Sequence, residues 1–471
     1  MASQTPNHRE IRLLTSKRTW LVLLAFGTMA AVIGFLPISA EWQAAAGLDV
    51  RKLKIGLGIF IAVAILWMTE ALPLSATALL VPLLVILLGV SDVKASLVSF
   101  ADPLIFLFLG GFALAAAMAR QGVDRWLAQK IVRLGRGRFL TVSCLLFGAT
   151  AFLSMWMSNT ATSAMMIPLA LGILGRMKVA EAGNLHNASF LLLGLAYSAS
   201  IGGLGMVVGS PPNGIAAAQL GISFVEWVAF GVPLVLVLLP VMIGVLYLLC
   251  RPSRGLVIAM EMEEFTFDGP RKLTVAIFAM TALGWIFGAQ IAPMLGITAS
   301  FDSVVALVVI FALLFSQVVR WQDIDRGTDW GVLLLFGGGI ALSGVLKDTG
   351  ASLFIARLMS GLVGGWPMIL VIAAVVTLVI FLTELSSNTA VAALFVPIFF
   401  SMAGELGMPA GKLVLPLALA ASCAFMMPVA TPPNAMVYAT GQVPQGTMMR
   451  IGFVLNLVFV VLLVGIFYLL F

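Results

Sequence analysis

The sequence predicts an all-α polytopic membrane protein, with about 11 transmembrane helices and two re-entrant hairpins arranged as two inverted repeats. Three observations carry that expectation. Of 471 residues, 61% are hydrophobic and only 10% are charged, against about 25% charged in a soluble domain. The apolar residues fall into runs of about 20, the length that crosses about 30 Å of hydrocarbon at 1.5 Å per residue. Two polar motifs, Ser-Asn-Thr and Pro-Pro-Asn, each occur twice and in the same order.

The expected spans begin with 20–38, 53–71, 74–90 and 103–120. The first follows Arg9, Arg12, Lys17 and Arg18 and ends at Ile38-Ser39-Ala40. It is long for a signal-peptide core and reads as an uncleaved span. An amphipathic stretch, 122–135, sets Arg125, Lys130 and Arg133 among Val123, Trp126, Leu127 and Ile131, as an interfacial helix does. The apolar region 139–176 is interrupted at Ser158-Asn159-Thr160; it reads as one long span or, preferably, a hairpin entering and leaving on one side. The fifth span, 188–220, is interrupted at Gly209-Ser210-Pro211-Pro212-Asn213, and the sixth is 225–250. Polar residues at 251–271 mark a linker. Spans then follow at 273–292, 302–319 and 330–347, with a second interfacial stretch at 349–363. A second interrupted region, 366–403, breaks at Ser387-Asn388-Thr389; 412–441 breaks at Ala430-Thr431-Pro432-Pro433-Asn434; and 448–470 closes the chain.

The halves correspond. Ser-Asn-Thr recurs 229 positions on, as does the proline after it (Pro168, Pro397), and Pro-Pro-Asn recurs 221 positions on. Phe108-Leu109-Gly110-Gly111 is echoed at Leu335-Phe336-Gly337-Gly338, glycines that suit close helix packing. Shared order over four features is the mark of an internal repeat. The expected organisation is an N-terminal segment with the first helix at 1–52, a first repeat at 53–250, a cytoplasmic linker at 251–271 and a second repeat at 272–471. An odd number of spans per half inverts the second half. With the N-terminus in the cytoplasm, 19 of the 26 basic residues fall inside, as the positive-inside rule requires. The net charge of +6 is thereby explained without a nucleic-acid partner.

Broken helices at membrane depth survive where they line a cavity or bind something, and paired breaks in inverted repeats point to a midplane site. Ser, Asn and Thr are helix N-cap residues, and the N-terminus of the following helix favours an anion. Their side-chain oxygens, with carbonyls freed by Pro211-Pro212 and Pro432-Pro433, suit a small hard cation. No lysine or arginine is close in sequence to the four breaks, so an anion there relies on helix termini, neutral donors and co-bound cations. Glu384 and Glu70 are the sparse intramembrane acids, candidates by default; Glu384 reads preferentially as a buried acid bonding hairpin backbone. The three cysteines (Cys144, Cys250, Cys423) and two histidines (His8, His186) form no disulfide, metal or catalytic pattern, which argues against an enzyme.

At these motifs the chain resembles the divalent anion/sodium symporter family, which includes sodium-coupled dicarboxylate transporters. The residues that carry the resemblance are Ser154–Thr162, Gly209–Asn213, Thr383–Thr389 and Ala430–Asn434. It extends over roughly 53–471. The resemblance implies two re-entrant hairpins, a homodimer and elevator-type movement of a transport domain against a scaffold. It implies one Na+ site near Ser154, Ser158, Asn159 and Gly209, and a second involving Thr383, Ser386, Asn388 and Ala430. Substrate carboxylates would meet Asn159, Thr160, Asn388 and Thr389, with Ser210 and Thr431 nearby. The expected activity is sodium-coupled symport of a C4-dicarboxylate (succinate, malate or fumarate) across a bacterial inner membrane. The alternatives are a sodium-independent dicarboxylate or tricarboxylate exchanger, or a carrier of sulfate or another oxyanion. A channel is disfavoured because no continuous polar pore lining is visible.

Overall fold

A computed structural model of the protein describes residues 17–38, 49–175, 183–253, 256 and 267–470. Most of the expected 251–271 linker lies outside the described residues, as do Arg9, Arg12, Arg176 and Lys178. Among the described residues the chain is helical, without strands. In order the helices are α1 (Lys17–Phe35), α2 (Val50–Thr69), α3 (Leu74–Leu87), α4 (Val93–Leu97), α5 (Pro103–Gln121), α6 (Val123–Leu134), α7 (Phe139–Trp156), α8 (Asn159–Gly175), α9 (Gly183–Gly203), α10 (Pro211–Leu220) and α11 (Phe224–Cys250). The second half gives α12 (Gly269–Ile286), α13 (Gly288–Met294), α14 (Phe301–Phe315), α15 (Trp321–Gly327), α16 (Trp330–Asp348), α17 (Ala351–Val363), α18 (Met368–Thr383), α19 (Asn388–Glu405), α20 (Gly411–Ala421), α21 (Pro432–Ala439) and α22 (Gln445–Leu470).

Each of the eleven expected spans finds a helix or a broken helix in this order. Eight described helices are long and apolar enough to cross a membrane, or up to ten if each of two bent pairs counts as one span. The shorter apolar helices include α3 and α14, of 14 and 15 residues, which cover about 21–23 Å at 1.5 Å per residue. Both Ser-Asn-Thr motifs interrupt helices as expected: α7 gives way to α8 at Met157-Ser158, and α18 to α19 at 384–387.

The other two breaks lie upstream of where the prolines alone place them. The chain leaves α-helical geometry after Gly203 and after Ala421, with one 3-10 turn at Val207–Gly209 in the first loop, and each Pro-Pro pair opens the next helix at its first two positions. Proline has no N–H to lose at a helix start, and its fixed φ suits that position. Pro-Pro therefore starts α10 and α21 rather than kinking a continuous span.

The chain divides into two compact units, each drawing on both halves of the sequence. One comprises Met1–Asp102, Trp330–Trp366 and Thr389–Val414. In it α1 packs on α2 through Ala25, Ala62 and Leu66. The Gly337-Gly338-Gly339 run is a packing surface, as expected: a Cβ on Gly338 would lie 2.5 Å from that of Ala78 on α3, and one on Gly339 would lie 3.2 Å from that of Ala393 on α19. Arg357 on α17 pairs with Glu405 at 2.9 Å.

The other unit comprises Pro103–Asp329, Pro367–Asn388 and Leu415–Phe471. Here Gly110 on α5 meets Ala306 on α14, α7 packs on α9, and α9 packs on α11. Arg120 at the end of α5 pairs with Asp323 on α15. The backbone N–H of Arg320, then the Arg120 guanidinium, holds the Asp323 carboxyl below its usual range. The amphipathic α6 sets the Trp126 ring 4.9 Å from that of Phe267 and carries the Lys130 ammonium over the indole, 4.7 Å from its centre.

Candidate functional site

The four breaks, apart from Thr389, belong to the second unit. At the first, α7 ends at Trp156, Met157 is extended (φ −122°, ψ 161°), and α8 starts at Asn159. Ser158 caps α8: its hydroxyl accepts from the N–H of Ala161 at 3.2 Å, which leaves the other first-turn N–H groups for a ligand. The Ser154 hydroxyl donates to Asn159 Oδ1 at 2.7 Å and lies equally close to the Ala199 carbonyl. One hydroxyl hydrogen thus faces two acceptors, which leaves an excess of oxygen lone pairs at that point. Gly209 joins them. A Cβ on Gly203 would lie 2.5 Å from Asn159 Oδ1 and 3.0 Å from the Gly209 carbonyl, and a Cβ on Gly209 would lie 3.0 Å from the Met155 carbonyl. Ser154, Asn159 and Gly209 therefore meet, with Ser158 at the same break. Thr160, one position into α8, is exposed.

The unwound segments before α10 and α21 share one construction. Asn213 donates through Nδ2 to the carbonyls of Gly203 (2.8 Å) and Met206 (2.9 Å). Asn434 donates to those of Ala424 (3.3 Å) and Met427 (3.1 Å). The two asparagines reach back by the same 10 and 7 positions, so a single side chain closes each loop upon itself. Both are fully buried, and the Oδ1 of each has no hydrogen-bond partner. A buried unsatisfied acceptor costs about 1–3 kcal/mol, and a cation offsets that cost. Gly231 and Gly452, also 221 apart, let α11 and α22 approach these loops: a Cβ on Gly231 would lie 2.6 Å from the Gly205 carbonyl, and one on Gly452 would strike the carbonyl of Phe425.

Elsewhere the repeats differ. Thr431 caps α21 by accepting from the N–H of Asn434 at 3.3 Å, whereas Ser210, in the same position before α10, turns its hydroxyl to Ser422 at 2.8 Å. That bond ties the end of the first loop to the start of the second. At the second Ser-Asn-Thr break, Thr383 donates back into its own helix, to Val379 or Ile380, both at 2.9 Å. Asn388 Oδ1 is buried without a partner. Ser386 and Ala430 are each 8% exposed. Thr389 groups with the first unit.

Glu384 does bond backbone, though not that of its own hairpin. Its carboxylate accepts from the N–H groups of Met426 (2.9 Å) and Met427 (2.8 Å) in the second loop, and from Asn456 Nδ2 on α22 (2.6 Å). Glu70 is an exposed, left-handed C-cap of α2, a helix-ending role. Sequence reasoning missed Ser422, Asn456 and the loop-closing roles of Asn213 and Asn434; for the last two the paired Pro-Pro-Asn motif was the available signal.

The helix that follows the first Ser-Asn-Thr break, α8, packs on the second Pro-Pro-Asn helix, α21, as does α9. Among the described residues no group of three His, Cys, Asp or Glu side chains is poised to hold a metal. The donor set at the breaks is hydroxyl, amide and carbonyl oxygen, which suits a hard cation of low charge and not zinc or a transition metal.

Known proteins resemble this chain over most of its length. The sequence model described as "Citrate transporter" matches residues 64–404 and 302–471. An uncharacterized transporter of Haemophilus influenzae is 49% identical over 419 residues, covering 88% of this chain and 90% of that one. The sodium-dependent dicarboxylate transporter SdcS of Staphylococcus aureus is 32% identical over 447 residues, covering 88% of this chain and 85% of the relative. Two solved structures share the fold: the YdaH transporter of Alcanivorax borkumensis (TM-score 0.56, 14% identity, 95% and 97% covered) and MtrF of Neisseria gonorrhoeae (TM-score 0.57, 12% identity, 96% and 93% covered).

Proposed function

The chain belongs to the citrate transporter family, of the divalent anion/sodium symporter type, and from that premise we propose that this secondary transporter couples uptake of a C4-dicarboxylate to sodium. The observation that supports this most is the oxygen-rich chemistry of the breaks, whose described hydrogen bonds include no lysine or arginine donor. Asn213 Oδ1, Asn434 Oδ1 and Asn388 Oδ1 are buried acceptors without partners, and the Ser154 hydroxyl faces two acceptors. None of the hydrogen bonds described at the breaks comes from lysine or arginine. A dianion placed there needs positive charge from elsewhere, and bound sodium supplies it.

In this reading Ser154, Ser158, Asn159 and the Gly209 carbonyl hold one sodium, and Thr383, Ser386, Asn388 and the Ala430 carbonyl hold a second. Asn159, Thr160, Asn388 and Thr389 meet the substrate carboxylates, with Ser210 and Thr431 beside them. Sodium orders the two tips, and the dianion then binds between helix N-termini that favour negative charge. The repeats are inverted, α7–α8 and α18–α19 are re-entrant hairpins, and a transport domain moves as an elevator within a homodimer in a bacterial inner membrane. The relative named as a sodium-dependent dicarboxylate transporter supports both the cation and the substrate class.

The test is uptake of labelled succinate into proteoliposomes with and without an inward sodium gradient. Gradient-driven uptake is expected, and Asn159→Ala and Asn388→Ala are expected to abolish it while leaving the protein folded. Uptake indifferent to sodium and driven by internal dicarboxylate would replace symport with exchange. Stronger competition by citrate or sulfate than by malate and fumarate would replace the substrate class.

A further inference from the structure

The connection from α5 to α7 concentrates positive charge. Six of the 26 basic residues stand between Arg120 and Arg138, with Asp124 the one acid among them. Asp124 is 4% exposed, and its carboxylate accepts the N–H of Arg125. Arg125, Lys130, Arg136 and Arg138 are all exposed. Among the described residues none of these four stands in an ion pair. Apolar groups are interleaved with them: Trp126 lies under the Lys130 ammonium, and Leu134 is 70% exposed. Cations beside an indole and an exposed apolar side chain are the composition of a helix lying at headgroup level.

The turn that ends α6 adds to this charge at a cost to the backbone. The N–H of Arg138 returns to the Gly135 carbonyl at 3.0 Å, and the two residues between, Arg136 and Gly137, have φ of 48° and 72°. Positive φ at both central positions is the mark of a type I′ turn, which glycine, asparagine and aspartate adopt readily. An arginine is strained there, because its Cβ crowds the backbone. The second repeat makes the corresponding turn without one. Shifted by 228 positions, Arg136 becomes Gly364 and Arg138 becomes Trp366, and the Trp366 N–H returns to the Val363 carbonyl at 2.9 Å. The arginine on α17, Arg357, is paired with Glu405. The turn itself therefore needs no cation. In the first repeat a left-handed arginine stands where glycine serves, and what it adds is an exposed charge two positions from Arg138.

We propose that α6 and the turn after it form a docking surface for anionic phospholipid, with Arg125, Lys130, Arg136 and Arg138 against headgroup phosphates and Trp126 and Leu134 toward the acyl chains. Charge complementarity and the interleaved apolar groups select this occupant. A soluble anion would meet the cations and leave Leu134 in water, whereas a lipid meets both. Each cation near an anionic surface is worth about fivefold in affinity. The surface belongs to the first repeat alone, because α17 offers no matching set of unpaired cations. The helix α6 packs on α7, which ends at the first Ser-Asn-Thr break, so lipid seated on α6 steadies the helix that leads to that break. The inference is independent of the ion that drives transport.

The test titrates delipidated, full-length protein in neutral detergent with phosphatidylglycerol or phosphatidylcholine. Bound lipid is counted by native mass spectrometry, and the unfolding temperature is followed in parallel. Wild type is compared with the quadruple variant Arg125→Gln/Lys130→Gln/Arg136→Gln/Arg138→Gln. The control is Arg51→Gln/Lys52→Gln/Lys94→Gln/Lys347→Gln, which removes the same charge from exposed positions elsewhere. Wild type and control are expected to bind phosphatidylglycerol saturably and to unfold later with it, an effect that high salt weakens; phosphatidylcholine is expected to do neither. The α6 variant is expected to need at least about tenfold more phosphatidylglycerol. Arg136→Gly relieves the turn and removes one charge. It is expected to unfold no earlier than wild type without lipid, yet to need about fivefold more phosphatidylglycerol; this single variant carries the test should the quadruple fail to fold. Equal phosphatidylglycerol affinity of the α6 and control variants overturns the inference, as does full affinity in Arg136→Gly. Protection of wild type by inorganic phosphate or polyglutamate at least as strong as by phosphatidylglycerol also overturns it, and makes the surface a site for a soluble anion or an acidic protein.

Discussion

Asn213 and Asn434 show how one side chain sustains a broken helix inside a membrane. Each loop frees carbonyls that lipid cannot satisfy, and each asparagine returns two hydrogen bonds to them. Removing the amide strands two buried carbonyls at once. At about 1 kcal/mol per bond, Asn213→Ala and Asn434→Ala each cost about 2 kcal/mol or more. Denaturant or thermal unfolding in detergent checks this, and each variant is expected to unfold earlier than wild type; a shift no larger than that of a surface substitution would refute the clamp. At this scale the sequence was legible where polar residues cluster. Ser158-Asn159-Thr160 in an apolar run announces a break, and its serine caps the next helix. Ser422 and Asn456 were not legible. Each is flanked on both sides by apolar residues, and its partner lies 212 or 72 positions away. Spacing cannot reveal such a pair; only the packing of α22 and the loops can.

At the scale of elements, two kinds of glycine share one helix. On α16 a Cβ at Gly338 would come within 2.5 Å of the Cβ of Ala78, while one at Gly344 would meet nothing within 4 Å. Membrane helices associate through such close backbone approach, since lipid offers no hydrophobic drive between them. Gly338→Val is therefore expected to push α16 off α3 and to lower the yield of monodisperse protein. Gly344→Ala is expected to be tolerated or to add stability, up to about 1 kcal/mol from helix propensity. Size-exclusion profiles and unfolding temperatures of the two variants separate the cases, and equal behaviour would sink the packing argument. The paired glycines made this face legible in the sequence. Helix boundaries at the prolines were less so, because Pro-Pro signals both a kink and a start. The choice was made by Asn213 and Asn434, whose loop-closing bonds put the unwound residues before the prolines.

At the scale of the whole molecule, the proposed membrane orientation rests on charge. Nineteen of 26 basic residues fall on one side when the N-terminus is cytoplasmic, and basic loops stay inside. In that proposed orientation Lys94 and Lys347 face outward, and Arg326, in the connection between α14 and α16, faces the cytoplasm. All three are exposed. The protein offers a clean background for single-cysteine labelling, because Cys250 and Cys423 are buried and only Cys144 is half-buried. With those three replaced, Lys94→Cys and Lys347→Cys are expected to react with a membrane-impermeant maleimide added to intact cells, and Arg326→Cys only after the membrane is opened. Lys94 and Lys347 come from different halves of the sequence, and each follows its half's count of spans from opposite starting sides. Labelling of both from outside therefore tests the inversion of the repeats together with the orientation. If Lys94 labels from outside and Lys347 does not, the halves are parallel, and the two Ser-Asn-Thr tips approach from the same side. A substrate clamped between opposed tips would then be untenable, whatever the transport assays show.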